Sequence, residues 1–327
     1  MHPNRRAALA AMLAAGTLTA AAQAPAEFPS RPIRLILGFP PAGSGDFIGR
    51  TIAEEMGKLL GQQVVVENRP GAATNIASEA VARSAPDGYT LLLGGSFSHS
   101  VNPALFSRMP VDMARDFTPI GKVAVLPTVM AVPSALAVAN LQEFIAHARR
   151  EGGKLNFASS GIGSPGHIAG GYLNKFADLK MTHVPYKGAS EAVRALVAGE
   201  VQLIITSPPS VMGFVRQGRV KALALTTAKA SPLVPGVPGA EEAGLKNFDI
   251  DGWYGLYGPA NLPPVVTNRL HAALQRVLQM PHVREKFESQ GAMPQDSASP
   301  EVFASFGAQD RARWAVIVRD SGARIDP

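Results

Sequence analysis

Two short loops hold the residue types that could do chemistry in this chain, and the chemistry they suit is the holding of an anion. The first reads Phe39-Pro40-Pro41-Ala42-Gly43-Ser44-Gly45-Asp46, and the second Ser159-Ser160-Gly161-Ile162-Gly163-Ser164-Pro165-Gly166-His167. Each lies between a strand-like run and a helical window. Glycines there allow unusual torsions and expose backbone N–H groups. A helix start adds unpaired donors and the positive end of the helix dipole. Asp46 is the expected cap of the first helix, or Ser44 one register earlier. Ser164 is the expected cap of the second, with Pro165 as its first helical residue. Taken singly, either loop also reads as a capped helix start that binds nothing. Their corresponding places in two halves of the chain favour a shared anion site.

Catalytic patterns are thin. Ser160, His167 and Asp46 make a triad on paper, but no G-x-S-x-G elbow frames a serine. No two histidines have i, i+4 spacing beside a carboxylate, so no metal is expected. Gly161, Gly163 and Gly166 have the spacing of a dinucleotide fingerprint, but no acidic residue follows about 20 residues later at a strand end, and no cofactor is expected. His183 and Tyr186, in His183-Val184-Pro185-Tyr186-Lys187-Gly188, either reach a cleft or pack and cap locally. Trp253 and Tyr254 are expected to pack at a hinge.

The elements that must position these loops alternate between β-branched runs and amphipathic windows. Strands are expected at Ile33 to Leu37, Val64 to Val66 and Tyr89 to Leu93. Helices over Asp46 to Leu60 and Asn75 to Arg83 join them into a βαβαβ unit with parallel strands. A Pro-punctuated stretch follows from Pro119 to Pro133. Helices at Leu141 to Arg150, 165 to 177, Gly188 to Ala198 and Pro209 to Gln217 then alternate with strands. Those strands are Leu155 to Ala158, Thr182 to Val184, Val201 to Thr206 and Lys221 to Thr226. From Leu262 on the chain reads as helical. The expectation is a two-lobed α/β fold, with residues 28–130 plus 251–327 as lobe 1 and 131–250 as lobe 2. Two crossings, near Val123 to Val132 and Asp249 to Gly258, make a hinge. The cleft between the lobes is the default ligand site.

The N-terminus adds a compartment. Arg5 and Arg6 precede the apolar run Ala7 to Ala22, and small residues follow at Ala20, Ala22 and Ala24. This describes a secretory signal peptide over residues 1–22, too short to span a bilayer. Cleavage is placed after Ala22, because a cut after Ala24 would put Pro25 next to the scissile bond. The Arg5-Arg6 pair allows a twin-arginine route, although only alanines follow it directly. With 46 % hydrophobic and 17 % charged residues, the remainder is a packed globular chain. The chain has no cysteine, which removes disulfides, thiolate metal sites and a lipid anchor. Loss of Arg5 and Arg6 lowers the formal charge from +6 to +4, which suits an anionic small ligand. No basic block with interleaved aromatics points to nucleic acid.

Several motifs in fixed order resemble one family. They are Phe28-Pro29-Ser30-Arg31-Pro32-Ile33, Phe39-Pro40-Pro41 through Asp46, and Val65-Val66-Glu67-Asn68-Arg69-Pro70-Gly71-Ala72. Next come Pro86-Asp87-Gly88-Tyr89-Thr90-Leu91-Leu92, the Ser160-Gly161 loop with His167, and His183 through Gly188. Trp314 and Ser321-Gly322-Ala323 fit near the end. The chain resembles the substrate-binding proteins of the tripartite tricarboxylate transporter family, the Bug-type periplasmic receptors. The resemblance implies a Venus-flytrap fold in which donors of the two loops hold a ligand carboxylate. Carried over, the binding positions are Phe39, Ala42, Gly43 and Ser44, then Ser160, Gly161, Gly163, Ser164 and His167. Tyr186 joins them as a residue able to reach the cleft. Three positions depart from the family pattern: Ala42 and Ala73 stand for glycines, and Gln202 for an aspartate.

The expected function is an extracytoplasmic receptor that binds a small organic acid or other carboxylate. It would hand the ligand to a membrane permease or a signalling protein, acting as a monomer. The alternative is an enzyme acting on a small organic acid in the same frame.

Overall fold

The computed structural model describes residues 28–41 and 43–323. The expected signal peptide and Ala42 lie outside the described residues.

The βαβαβ unit forms as β1 (Ile33–Leu37), α1 (Ser44–Leu60), β2 (Val64–Asn68), α2 (Asn75–Ala82) and β3 (Thr90–Gly95). Its strands are parallel, with β1 central between β2 and β3. Buried Ile48, Ile52 and Met56 form the stripe that seats α1 in one core with Leu35 and Leu37. Gly61, at φ +70°, ends α1 in the left-handed conformation that glycine adopts cheaply.

A π-helical turn (Phe97–Val101) and α3 (Asn102–Leu105) lead into β4 (Phe117–Leu126) and β5 (Val129–Pro133). The Pro-punctuated stretch therefore holds two strands. Its prolines sit where a sheet tolerates them. Pro119 lies at a register irregularity against Tyr257, Pro127 lies between the strands, and Pro133 ends β5.

The second sheet gathers α4 (Leu141–Glu151), β6 (Asn156–Ser159), α5 (Pro165–Phe176), β7 (Thr182–Pro185), α6 (Ala189–Ala198), β8 (Leu203–Thr206), α7 (Pro208–Arg216) and β9 (Val220–Leu225) around β5. Its strand order is β7-β6-β8-β5-β9. The chain then returns through β10 (Gly252–Pro259), α8 (Pro264–Leu278), α9 (Pro281–Ser289), β11 (Met293–Pro294) and α10 (Pro300–Ser321). This completes the first sheet as β11-β4-β10-β3-β1-β2. Residues Trp253 to Gly258 are thus a central strand rather than crossing chain. Glycines at 252, 255 and 258 hide it from a propensity reading. Gly255 is needed because a Cβ there would meet the Phe303 ring.

Two features tie the sheets together. Val129 already pairs with Thr206 in the second sheet, so the first crossing shrinks to Pro127 and Thr128. Helix α10 belongs to both cores. Phe303 packs with Trp253 and Tyr257, while Trp314, Ile317 and Val318 pack with Leu173 and Phe248.

Gln202 ties β8 to β6. Its Oε1 accepts from Asn156 N at 2.9 Å, and its Nε2 adds a bond to Gly199 O at 3.1 Å.

Candidate functional site

A cavity of about 230 Å³ lies where the two sheets meet. Phe39 and Ser44 reach it from the first loop, and Ser160, Pro165 and Gly166 from the second. Pro127 and Thr128 line it at the first crossing, Ile250 and Asp251 at the second. The rest of the wall is mostly apolar, with Phe97, Tyr254 and Trp314 contributing. No lysine, arginine or histidine is among the described residues that line it.

The first loop leaves the head of its helix uncapped. Gly43, not Asp46 or Ser44, is the N-cap of α1, with φ −83° and ψ 165° and no side-chain cap bond. Ser44 becomes the first helical residue, and its hydroxyl makes no hydrogen bond among the described residues. Asp46 falls in the first turn, where its carboxylate accepts from Asn68 Nδ2 at 2.8 Å and Arg50 Nε at 3.0 Å. Asn68 Nδ2 also donates to Phe39 O at 3.1 Å, fastening the loop to the end of β2. The Phe39 ring meets Tyr254 edge-on at 5.2 Å. A Cβ on Gly45 would stand 2.6 Å from the Phe39 ring, so glycine is required for this approach.

The second loop uses its own donors to hold its shape. Ser164 caps α5 by accepting from His167 N, and Pro165 follows it. Gly163 N donates to His167 Nδ1 at 3.0 Å, and Ser164 N to Gly161 O at 3.2 Å. Gly161 N donates to Ser159 Oγ at 3.2 Å. Gly161 and Gly163 take φ +132° and +76°, which explains both glycines. The His167 ring stacks on His183 at 4.0 Å, and His183 on Phe157 at 4.9 Å. Burial, with His167 beside it, lowers the His183 pKa to about 4. Burial lowers His167 as well. A Cβ on Gly166 would strike Ile205 O, so this glycine lets the head of α5 press against β8 at the cavity wall.

The structure therefore sorts the sequence-read residues. Phe39, Ser44 and Ser160 meet at the cavity. Gly43 heads α1, while Gly161, Gly163, Ser164 and His167 build the second loop behind the wall. Tyr186 donates its N–H to Ser159 O at 3.0 Å and packs against the core around Val193 and Val211. Thr128, Thr206, Asp251, Tyr254 and Trp314 line the cavity without having been singled out as ligand positions. Asp251 carried one signal, as a carboxylate placed in a crossing.

Among the described residues that line the cavity, no serine bonds a histidine or a carboxylate. Ser160 bonds neither His167, whose Nδ1 takes Gly163 N, nor Asp46, which is held by Asn68 and Arg50. Ser159 lies 2.7 Å from His183 Nε2, but Ser159 is fully buried. Among the described residues no group of three His, Asp or Glu side chains could hold a metal ion. No helix among them is long and apolar enough to cross a membrane.

Comparison with known proteins agrees with this geometry. The family model described as "Tripartite tricarboxylate transporter family receptor" matches residues 48–323. Protein BugT of Bordetella pertussis is 34% identical over 299 residues, covering 91% of this chain and 91% of BugT. A Rhodopseudomonas palustris protein solved with adipate superposes with TM-score 0.77 at 30% identity, covering 91% of this chain and 100% of that one. MatC of the same organism, solved with malate, gives TM-score 0.72 at 32% identity, covering 89% and 100%. The chain belongs to the tripartite tricarboxylate transporter receptor family of periplasmic solute-binding proteins, with their two-lobed fold.

Proposed function

We propose that this protein is a periplasmic receptor that captures a small carboxylate between its lobes and presents it to a membrane permease. The observation that carries this reading is the meeting of two helix heads at one cavity. Ser44 and Ser160 line it, and among the described residues neither hydroxyl has a hydrogen-bond partner and no cationic side chain lines the cavity. Helix N-termini supply neutral donors and a positive potential, and hydrogen bonds to an ionised acceptor contribute about 1.5–3 kcal/mol each. Phe39, Gly43 and Ser44 form one side of the proposed seat, and Ser160 with the first turn of α5 the other. The second loop's glycines, Ser164 and His167 keep that side in shape. Adipate and malate in two related structures support the choice of a carboxylate. The signal-peptide pattern of residues 1–22 supports export, and the receptor acts as a monomer.

A thermal-shift screen of organic acids, followed by product analysis of every hit, tests the reading. Binding without turnover is expected. Turnover of any hit would establish the enzyme alternative. A bound acid touching both lobes favours the closed form, so scattering should record a smaller radius of gyration with ligand.

A further inference from the structure

The hinge end of the cavity carries a charge that the two loops do not. Asp251 precedes β10, lines the cavity, and has a side chain only 13% exposed. Its Oδ1 accepts from Arg313 Nη2 at 2.7 Å, and its Oδ2 makes no hydrogen bond among the described residues. Arg313 is occupied elsewhere as well. Its Nη1 donates to Asp249 O at 2.9 Å and Asp249 Oδ2 at 3.2 Å, and its Nε and Nη2 donate to Asp310 Oδ1 at 3.2 and 2.6 Å. Asp310 also accepts from Ser100 Oγ and Trp253 Nε1, each at 2.7 Å. Lys122 sits over the Phe306 ring at 3.9 Å and interacts with all three aspartates. Three carboxylates thus face two cations, and the carboxylate at the cavity wall keeps an acceptor oxygen to spare. Arg313 itself does not line the cavity.

We propose that Asp251 is a specificity-determining residue that selects a carboxylic acid bearing a hydroxyl or ammonium group at its far end. This rests on the reading of the cavity as a carboxylate receptor and deepens it. The ligand carboxylate sits at the helix heads, and its donor group reaches the open oxygen of Asp251. An ionised acceptor in an apolar wall is best satisfied by an N–H or O–H donor. A second carboxylate at that place meets like charge, so a plain dicarboxylate is disfavoured. Arg313 orients Asp251, with its guanidinium fixed by Asp249 and Asp310.

The test is a calorimetric ranking of matched acids on the full mature chain. The probes are butyrate, its gamma-hydroxy and gamma-amino derivatives and succinate, with benzoate, meta-hydroxybenzoate and isophthalate. The wild type should bind the best hydroxy or amino acid about tenfold tighter than its parent acid, and the diacid more weakly still. Asp251→Asn should erase that order and admit the diacids. Asp249→Asn loosens the same arginine without touching the cavity, and should keep the wild-type order. If Asp251→Asn does not fold, the wild-type order decides. A parent acid or diacid that ranks first in the wild type, or an order that survives Asp251→Asn, overturns the role of Asp251 and leaves the carboxylate receptor standing. Failure of folded wild type to bind any of these acids overturns both.

Discussion

The two loops at the cavity look alike in sequence and are used differently. In the first, a glycine caps the helix, so the Ser44 hydroxyl at its head has no partner among the described residues. The carboxylate that could have capped it, Asp46, is held by Asn68 and Arg50. In the second, Ser164 caps the helix and the glycine amides bond within the loop, while Ser160 lines the cavity. A serine beside a helix start therefore lines the cavity or caps the helix according to which register the backbone chooses. The lobes also differ in their buried histidines. The first lobe hides His99 completely, stacked on Tyr257 at 3.9 Å with Ser98 Oγ 2.8 Å from its Nδ1. The second stacks His167 and His183 half-buried behind the loop.

The largest effect that sharpens this comparison is on acid stability. Burial, reinforced by nearby Arg311, lowers the His99 pKa to about 3, and burial lowers His183 to about 4, from an ordinary 6.5. Both rings stay neutral in the folded protein at pH values where the unfolded chain already binds protons. Stability is full above about pH 6.5 and falls with pH, toward 4 for His183 and toward 3 for His99. The His99 contribution to that loss is on the order of 5 kcal/mol. The His183 contribution is smaller, because solvent screens a half-exposed ring. Urea unfolding across pH 7 to 4 should show His99→Phe flattening the profile more than His183→Asn does. Equal profiles would remove the contrast between the two histidine sites.

Next in size is the division of labour among the serines. Ser44→Ala and Ser160→Ala should each weaken ligand binding by roughly tenfold, one charge-assisted bond at the low end, with little change in melting. Ser164→Ala should instead lower stability by about 1 kcal/mol and leave affinity nearly unchanged. Calorimetry and thermal melting on the same three variants read both quantities. A fall in affinity for Ser164→Ala equal to that of the other two would make the two loops alike after all.

The smallest effect lies away from the cavity. Ala73 is held at φ +51° between Ala72 at +44° and Thr74 at +77°, in the left-handed region that favours glycine. Asn102 Nδ2 donates to Ala73 O at 2.7 Å and fixes this turn. Ala73→Gly relieves left-handed strain of about 1–2 kcal/mol and gives back part of it through a freer unfolded chain, for a net gain of roughly 0.5 kcal/mol. A lower melting point would show that the turn is not strained in solution.

The amino-acid order by itself determined the α/β alternation, because hydrophobic period and turn residues are local properties that β1, α1, β2 and α5 follow within a residue or two. It also determined the two loops, since glycine and proline act on the backbone where they stand. It did not reveal β4 and β10, because glycines and prolines that break an isolated strand are tolerated at a bulge or beneath the Phe303 ring. Nor could it place Asp251 at the cavity with Arg313 behind it, since 62 residues separate the pair along the chain. Tertiary structure alone decided which serine caps and which lines the cavity instead. Capping depends on backbone torsion at Gly43 and Ser164, and neighbouring elements fix that torsion through contacts distant in sequence.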